Sequence, residues 1–229
     1  MKTKILFEDT SILVIHKPAG IAVQSARVGQ MDVESELRNY IKRNGTANPY
    51  IGLVHRLDQP VEGLLIVAKT KAAAAKLTKQ LTAGSLNKKY VAVVSMESNQ
   101  IEISGKFTDY IIKDGQVARI IESNVQNPKD AKKACLHYTL LQRTDNLALS
   151  DIEIETGRFH QIRCQMAHHG MPLLGDAKYG SSMSTALSRK AGIRNVALCA
   201  NRIAFKHPVT GEIMKFEVQP ENSAFSKFL

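Results

Sequence analysis

Short apolar runs of strand length recur along most of the chain, and they limit the folds that it can adopt. Glycine, proline, asparagine or charged residues bound each run, which is typical of β-strands that end in turns. The runs that predict strands are residues 12–15, 64–68, 90–94, 117–121, 136–141, 147–154 and 214–218. The dipeptide Asp114-Gly115 predicts the tip of a hairpin before the fourth of these runs.

Three stretches show the spacing of an amphipathic helix. They are Val33 with Leu37 and Ile41, the segment 70–81, and Phe159 with Ile162 and Met166, which we expect on the core face of their helix. Thr70 suits the N-cap position of the second helix. The serine-rich stretch 180–188 predicts a mobile surface loop. Many strands with few helices predict an α+β fold on a mixed, mainly antiparallel sheet.

The charge of the chain favours a polyanionic partner. Lysine and arginine number 31 against 21 acidic residues, which gives a net charge of +10. The segment 69–90 holds six lysines and no acid, and the segment 177–211 holds six lysines and arginines and no acid. A basic protein without a nucleic-acid role is the alternative, but solvated helix faces usually interleave both signs. The two tracts therefore predict a phosphate-binding surface.

Several other classes of protein fit the sequence poorly. The start of the chain is too polar for a signal peptide, and no apolar run approaches the length of a membrane span. Cys135, Cys164 and Cys199 are widely spaced and odd in number, unlike a disulfide framework or a zinc site. Neither GxxxxGK[ST] nor GxGxxG after a strand occurs. We expect a cytoplasmic protein with no metal and no cofactor.

The segment His55-Arg56-Leu57-Asp58 is the strongest candidate for a chemical site. It precedes a loop, residues 59–63, and then the apolar run 64–68, so that a carboxylate lies beside an arginine at the mouth of a buried strand. A nucleophile for an anionic substrate would be placed in this way. A structural aspartate that pairs with Arg56 at a strand end is the alternative.

This segment, with Gly63 and Leu64 behind it, resembles the signature segment of the RluA-type pseudouridine synthases. Lys89-Tyr90 and Gly157-Arg158-Phe159-His160-Gln161-Ile162-Arg163 follow in the order and rough spacing of that family. The resemblance runs from about Leu6 to Val218. It implies the pseudouridine synthase fold, a two-part antiparallel sheet with flanking helices and a central active-site cleft. We expect residues 1–229 to form one catalytic domain without a separate N-terminal RNA-binding module.

The resemblance also implies roles for three catalytic candidates. Asp58 would be the nucleophile that detaches uracil so that it can rejoin the sugar through carbon 5, by attack at the sugar or after abstraction of a neighbouring proton. Tyr90 would stack on the flipped base, although a tyrosine in a strand is more often plain core. Arg163 would pair with the catalytic aspartate and keep it ionised, the alternative being a surface arginine.

The remaining candidates are RNA contacts, namely His55, Arg56, Lys88, Lys89, Arg158 and His160. His55 is equally a candidate for a structural histidine. Asp176 and Tyr179 would shape the site without reacting. Two positions depart from the family pattern: Glu62 adds a negative charge to a loop near the expected phosphate, and Gln165 replaces a histidine that could become cationic.

We therefore expect an enzyme that isomerises uridine in ribosomal or transfer RNA, monomeric and without an obligate protein partner. The alternative is a ribosome-assembly factor that binds RNA through the same basic cleft without chemistry. Retention of Asp58, Tyr90 and Arg163 together favours the enzyme, because binding needs only the basic surface.

Overall fold

The structure is a computed structural model that describes residues 1–25, 29–98, 100–121, 130–144 and 146–228. The strands are β1 (Lys4–Glu8), β2 (Ile12–Lys17), β3 (Gly52–Leu53), β4 (Glu62–Ala68), β5 (Asn87–Ser95), β6 (Ser104–Asp114), β7 (Val117–Ile121), β8 (Lys132–Arg143), β9 (Leu147–Ile154), β10 (Leu198–Lys206) and β11 (Ile213–Glu217). The helices are α1 (Val33–Arg43), α2 (Lys71–Thr82), α3 (Gln161–His168) and α4 (Ser182–Lys190), with a 3-10 turn at Ser223–Lys227.

The described residues form two compact units. Unit 1 comprises Met1–Lys88 and Cys199–Glu221, and unit 2 comprises Lys89–Leu198 and Asn222–Leu229. Both units are built on strands that pair mainly in antiparallel fashion, and both carry helices. The predicted α+β class with a mainly antiparallel sheet is therefore confirmed.

Unit 1 places its most apolar strands at its centre. The strands follow the order β1-β2-β4-β10-β11, and among the strand pairs of the described residues in this unit β4 and β10 alone are parallel. Every residue of β4 is buried, which explains why its sequence is a continuous apolar run and not an alternation. Leu64 and Ile66 on β4 pack in one core with Leu77 of α2 and Phe205 of β10.

Gly63 is required by the close approach of β10 to β4. Its φ of 128° lies in a region that glycine adopts far more easily than other residues. A Cβ atom at this position would lie 2.5 Å from the Ala200 nitrogen and 2.6 Å from the Ala200 oxygen. The glycine that follows the Asp58 segment in the sequence thus sets how β10 pairs with β4.

Unit 2 is an antiparallel sheet in the order β5-β9-β8-β6-β7. Asp114 and Val117 are paired at the end of the β6–β7 hairpin, so the predicted hairpin tip is confirmed. The core of this hairpin contains Ile111, Ala118 and Ala134, and Cys164 of α3 packs against it. Unit 2 thereby fixes α3 on the sheet through an apolar contact.

Most predicted elements occur, but the loop predicted for the serine-rich stretch does not. The seven predicted strands correspond to β2, β4, β5, β7, β8, β9 and β11, and the Thr70 side chain caps α2 by accepting from the Ala73 amide at 3.1 Å. The serine-rich stretch is not a loop but largely helix α4. Ser181 and Ser184 form a capping box at its N-terminus, which satisfies amides that would otherwise lack partners. No helix in the described ranges is long and apolar enough to span a membrane.

Candidate active site

Asp58 lies in the loop between β3 and β4, residues 54–61, which we call the Asp58 loop. Leu57 is buried, Asp58 is half-buried and Arg56 is exposed. The Val61 amide donates to the Asp58 carbonyl at 3.1 Å and closes a turn before β4 begins. The loop thus holds the carboxylate at the mouth of a buried strand, as the sequence predicts, and leaves the arginine accessible.

His55 fixes the Asp58 loop to β4. Its side chain is buried, and its Nε2 atom accepts a hydrogen bond from the Ile66 amide at 3.3 Å. Burial, with a smaller contribution from the charge of Lys88, lowers the pKa of His55 to about 3. The ring is therefore neutral at physiological pH. These contacts favour the structural alternative that the sequence left open for this residue.

Lys17 is a second residue that organises the Asp58 loop. Its side chain is fully buried, and its Nζ atom donates to the carbonyl oxygens of Ile21 at 2.8 Å, Pro18 at 3.0 Å and Gln59 at 3.2 Å. Burial lowers the pKa of Lys17 to about 8, while the negative charges of Asp58 and Glu62 oppose that shift.

The loop after β2 and the Asp58 loop are also joined directly. The Gly20 amide donates to the Gln59 carbonyl at 2.9 Å, and the Gln59 side-chain amide donates to the Gly20 carbonyl at 3.1 Å. Together with Lys17, these bonds hold the residue next to Asp58 from two sides. A lysine at the end of an entirely buried strand was the signal in the sequence that could have indicated this contact.

Glu62 does not lie in a loop near the expected phosphate, so the expectation that its charge is placed there was wrong. It is the first residue of β4, only 2% exposed, and its Oε2 atom accepts from the Glu221 amide at 3.0 Å. The same oxygen lies 3.8 Å from His16 Nε2. Its charge therefore acts on buried groups of unit 1.

Tyr90 and Lys89 lie on β5 in unit 2. Tyr90 is 5% exposed and is paired with Ile152 of β9 in the sheet register. Lys89 lies opposite Glu153 and forms an ion pair with it at 3.1 Å. The burial of Tyr90 fits a core position, and its stacking role stays a prediction.

Arg163 is held by a buried ion pair on α3. Its Nε and Nη2 atoms donate to the two carboxylate oxygens of Asp176 at 2.7 and 2.8 Å, and both side chains are at most 4% exposed. Asp176 Oδ1 also accepts from the amides of Lys178 and Tyr179. The guanidinium lies 5.1 Å from the centre of the Tyr179 ring. This bidentate geometry leaves Arg163 little rotational freedom. Arg163 is therefore not a surface arginine, while its pairing with the catalytic aspartate and the shaping of the site by Asp176 stay predictions.

The residues before α3 differ from the prediction. Phe159 does not lie on the core face but is 39% exposed, because His160 adopts a left-handed conformation with φ of 52° and interrupts the helical phase. His160 Nδ1 lies 2.8 Å from the Tyr179 hydroxyl. Arg158 is exposed, and its Nε atom donates to the Lys133 carbonyl at 2.9 Å.

The C-terminal half of α3 holds a polar cluster. Gln165 is fully buried and donates to Asp109 Oδ2 at 2.6 Å and to the Ala134 carbonyl at 3.2 Å, so this departure from the family pattern acts in the interior. Asp109, His168 and His169 offer three potential metal ligands within 4.8 Å of one another. His169 Nε2 lies 3.1 Å from Asp109 Oδ2, and this hydrogen bond accounts for the proximity of these two side chains.

Comparisons with known proteins identify what the chain is similar to. Residues 11–168 match the family described as RNA pseudouridylate synthase. The chain is 33% identical over 226 residues to the ribosomal large subunit pseudouridine synthase D of Zymomonas mobilis, a match that covers 94% of this chain and 68% of that protein. It is 34% identical over 235 residues to the uncharacterized RNA pseudouridine synthase YlyB of Bacillus subtilis, covering 98% of this chain and 71% of that protein.

The fold has a close counterpart among solved structures. Human RNA Pseudouridylate Synthase Domain Containing 4 aligns with a TM-score of 0.77 at 24% identity, covering 95% of this chain and 89% of that one. This structural likeness confirms the expected pseudouridine synthase fold, and at 24% identity it bears on the fold alone. The chain spans about two thirds of the length of the curated relatives that it matches.

Proposed function

Since the chain belongs to the RNA pseudouridylate synthase family, we propose that it isomerises specific uridines in large-subunit ribosomal RNA with Asp58 as the nucleophile. The names of the relatives support this target: several are ribosomal large subunit pseudouridine synthases. Transfer RNA is the other target that the sequence allows. The observation that carries the proposal is the Asp58 loop, in which a half-buried carboxylate is positioned by buried partners at the mouth of β4.

The reaction replaces one bond between sugar and base by another. The bond between C1′ of ribose and N1 of uracil breaks, the base turns, and a new bond joins C1′ to C5. The proton of C5 leaves to solvent, and N1 ends with a proton, so the atoms balance. A carboxylate at the sugar face can attack C1′ or abstract a neighbouring proton first, and either route uses the charge of Asp58.

Two buried side chains hold the loop that carries Asp58. The ammonium group of Lys17 interacts electrostatically with Asp58 and donates to the carbonyl of the adjacent Gln59. His55 carries no charge that would compete for this carboxylate, because burial lowers its pKa to about 3. We assign His55 and Lys17 to positioning the Asp58 loop.

Tyr90 and Arg163 complete the proposed set of catalytic residues. Stacking of the flipped uracil on Tyr90 would return part of the free energy that leaving the RNA stack costs. Arg163, held by Asp176, would supply a fixed positive charge for the same uridine. Arg56, Lys88, Lys89, Arg158 and His160 would contact the RNA. We propose one catalytic domain that acts as a monomer without a cofactor.

The test is a map of pseudouridine in cellular RNA with and without this protein. Cells that lack it should lose pseudouridine at one or more positions of large-subunit ribosomal RNA, and expression of the wild-type chain should restore them. An unchanged map in every RNA would contradict the enzymatic proposal and favour the assembly-factor alternative. A change confined to transfer RNA would contradict the target.

A further inference from the structure

We propose that Phe159 is a stacking surface for an unpaired RNA base beside the target uridine. This inference rests on the proposed function, because it assigns a further contact to the same RNA. Phe159 is 39% exposed although it lies only two residues before the start of α3, whose residues 161–166 are all buried. A large apolar side chain that protein packing does not cover is available to a ligand.

Other side chains hold the Phe159 ring in place. It stacks on the His160 ring, with ring centres 3.8 Å apart and planes inclined by 21°. His160 is in turn bound through Nδ1 to the Tyr179 hydroxyl, which accepts from the Ala118 amide at 2.6 Å. Little conformational entropy would then be lost when a base binds to the ring.

The left-handed backbone of His160 is the second reason to assign a function here. A residue other than glycine with φ of 52° is uncommon, and such strain concentrates at binding and catalytic sites. Here the left-handed backbone directs Phe159 out of the core and places the His160 ring against one face of the Phe159 ring. A continuous helical phase would have placed Phe159 with Ile162 in the interior.

The segment around the ring is basic. Lys113 Nζ lies over the ring, 5.1 Å from its centre, and Arg158, the preceding residue, is exposed. The hydrogen bond from the Arg158 side chain, through Nε, to the Lys133 carbonyl brings the start of β8, which carries Lys132 and Lys133, next to this segment. Cations next to an aromatic ring are the arrangement that binds single-stranded nucleic acid, because phosphates and base faces are contacted together.

The occupant must be an unpaired base. A base within a duplex has both faces covered by its neighbours, whereas a base in a loop or bulge can present one face to an aromatic ring. The surface therefore predicts a preference for target uridines next to single-stranded nucleotides.

The experiment compares Phe159→Leu and Phe159→Tyr with Tyr110→Leu. Tyr110 is a matched control because it is an aromatic residue of unit 2 with a similar exposed fraction of 42%. The probe is a single-stranded oligouridine of about ten nucleotides with one 2-aminopurine, a length in the range that single-stranded sites accommodate. The dissociation constant and the 2-aminopurine quenching are measured at several salt concentrations.

Phe159→Leu should weaken binding by about 5- to 150-fold, the range of ~1–3 kcal/mol for one stacked base, and should reduce the quenching. The dependence on salt should keep its slope, because phenylalanine carries no charge. Phe159→Tyr should bind nearly as well as wild type, and annealing the probe to its complement should remove the difference between the variants.

Equal effects of Phe159→Leu and Tyr110→Leu, or unchanged binding in Phe159→Leu, would overturn the inference. Measuring pseudouridine formation by the wild type separates this failure from failure of the proposed function. If the wild type forms pseudouridine while Phe159→Leu binds normally, only the stacking surface is wrong. If Phe159→Leu binds weakly and the wild type forms no pseudouridine, the stacking surface stands and the enzymatic proposal fails.

Discussion

Single buried side chains position Asp58 more than its sequence neighbours do. His55 accepts from the backbone of β4, and Lys17 donates to three carbonyl oxygens around the Asp58 loop. Buried polar groups of this kind are costly when they lose a partner, so each defines one conformation of the loop. The titration of His55 offers a direct test of this arrangement.

Acidification should destabilise the fold through His55. Its pKa is about 3 in the folded protein and ordinarily about 6.5, so between these values the unfolded chain binds a proton that the folded chain does not. The free energy of unfolding therefore falls as pH falls below 6.5, by about 2 kcal/mol between pH 6.5 and pH 5 from this group alone. Urea unfolding across that range measures it.

The variant His55→Gln keeps a side-chain oxygen for the Ile66 amide but cannot titrate. Its stability should therefore lose about 2 kcal/mol less than that of wild type over the same pH interval. His137→Gln, at an exposed histidine paired with Glu155, is the control and should not reduce the acid sensitivity. Parallel curves for wild type and His55→Gln would show that His55 is not buried in its neutral form.

At the scale of elements, α3 depends on the loop that follows it. The Gly175–Tyr179 segment supplies Asp176 to Arg163 and the Tyr179 hydroxyl to His160. Gly175 itself has φ of 72°, and a Cβ atom there would collide with the Asn195 carbonyl. The loop can therefore take this path only with glycine, and it fixes both ends of the segment from His160 to Arg163.

Removing the charge of Asp176 should destabilise unit 2. Asp176→Asn removes the negative charge that binds the buried guanidinium of Arg163, and breaking a buried ion pair typically costs about 3–5 kcal/mol. Asp114→Asn is the matched control, because its partner Arg119 is 68% exposed and such surface pairs contribute at most about 1 kcal/mol. Urea unfolding measures both, and similar losses in the two variants would refute the structural role of Asp176.

The sequence predicts elements whose signals are local. Apolar runs locate most strands, and Thr70 locates the start of α2. Helix α4 is missed because serine has a modest helix propensity, and its capping box is visible only in three dimensions. β10 is missed because Asn201 and Arg202 interrupt its apolar pattern. A local sequence pattern carries no information about strand-pairing partners that are distant in sequence.

The residues of the candidate site also differ in whether a local sequence pattern can predict their positions. The motif that contains Asp58 is contiguous, so its position before a buried strand could be predicted. The burial of Glu62 could not be predicted, because a charged residue is assigned to the surface unless its buried partners are known; for Lys17 the only signal was its place at the end of an apolar run. Phe159 was misplaced because helical spacing was extended across His160, whose left-handed backbone no residue type in this segment predicts.

At the scale of the whole molecule, net charge should control RNA binding. The excess of ten positive charges includes the lysine tract that ends at Lys88 and Lys89. Lys88 is half-buried and Lys89 is paired with Glu153, so both side chains are already partly ordered. Ordered cations that bind phosphate release counterions, which makes affinity fall with salt.

Replacing Lys88 and Lys89 together by alanine should flatten the dependence of log affinity on log salt. Two lost contacts to single-stranded phosphates correspond to a change in slope of about 1.4. Lys42→Ala with Arg43→Ala removes the same charge from exposed positions at the end of α1 and should leave the slope unchanged. A slope equal to that of wild type in the first variant would show that these lysines do not contact phosphate.

The central claim is that Asp58 carries the chemistry, and tritium release from RNA labelled at carbon 5 of uracil tests it most directly. Asp58→Asn keeps the size of the side chain and removes its charge. RNA binding, titrated on the same transcript, should be unchanged or slightly tighter because an anion near phosphates is lost. Tritium release should fall by at least roughly 10⁴-fold, as expected when a covalent catalyst loses its nucleophile. Release near the wild-type rate would contradict the assignment of Asp58.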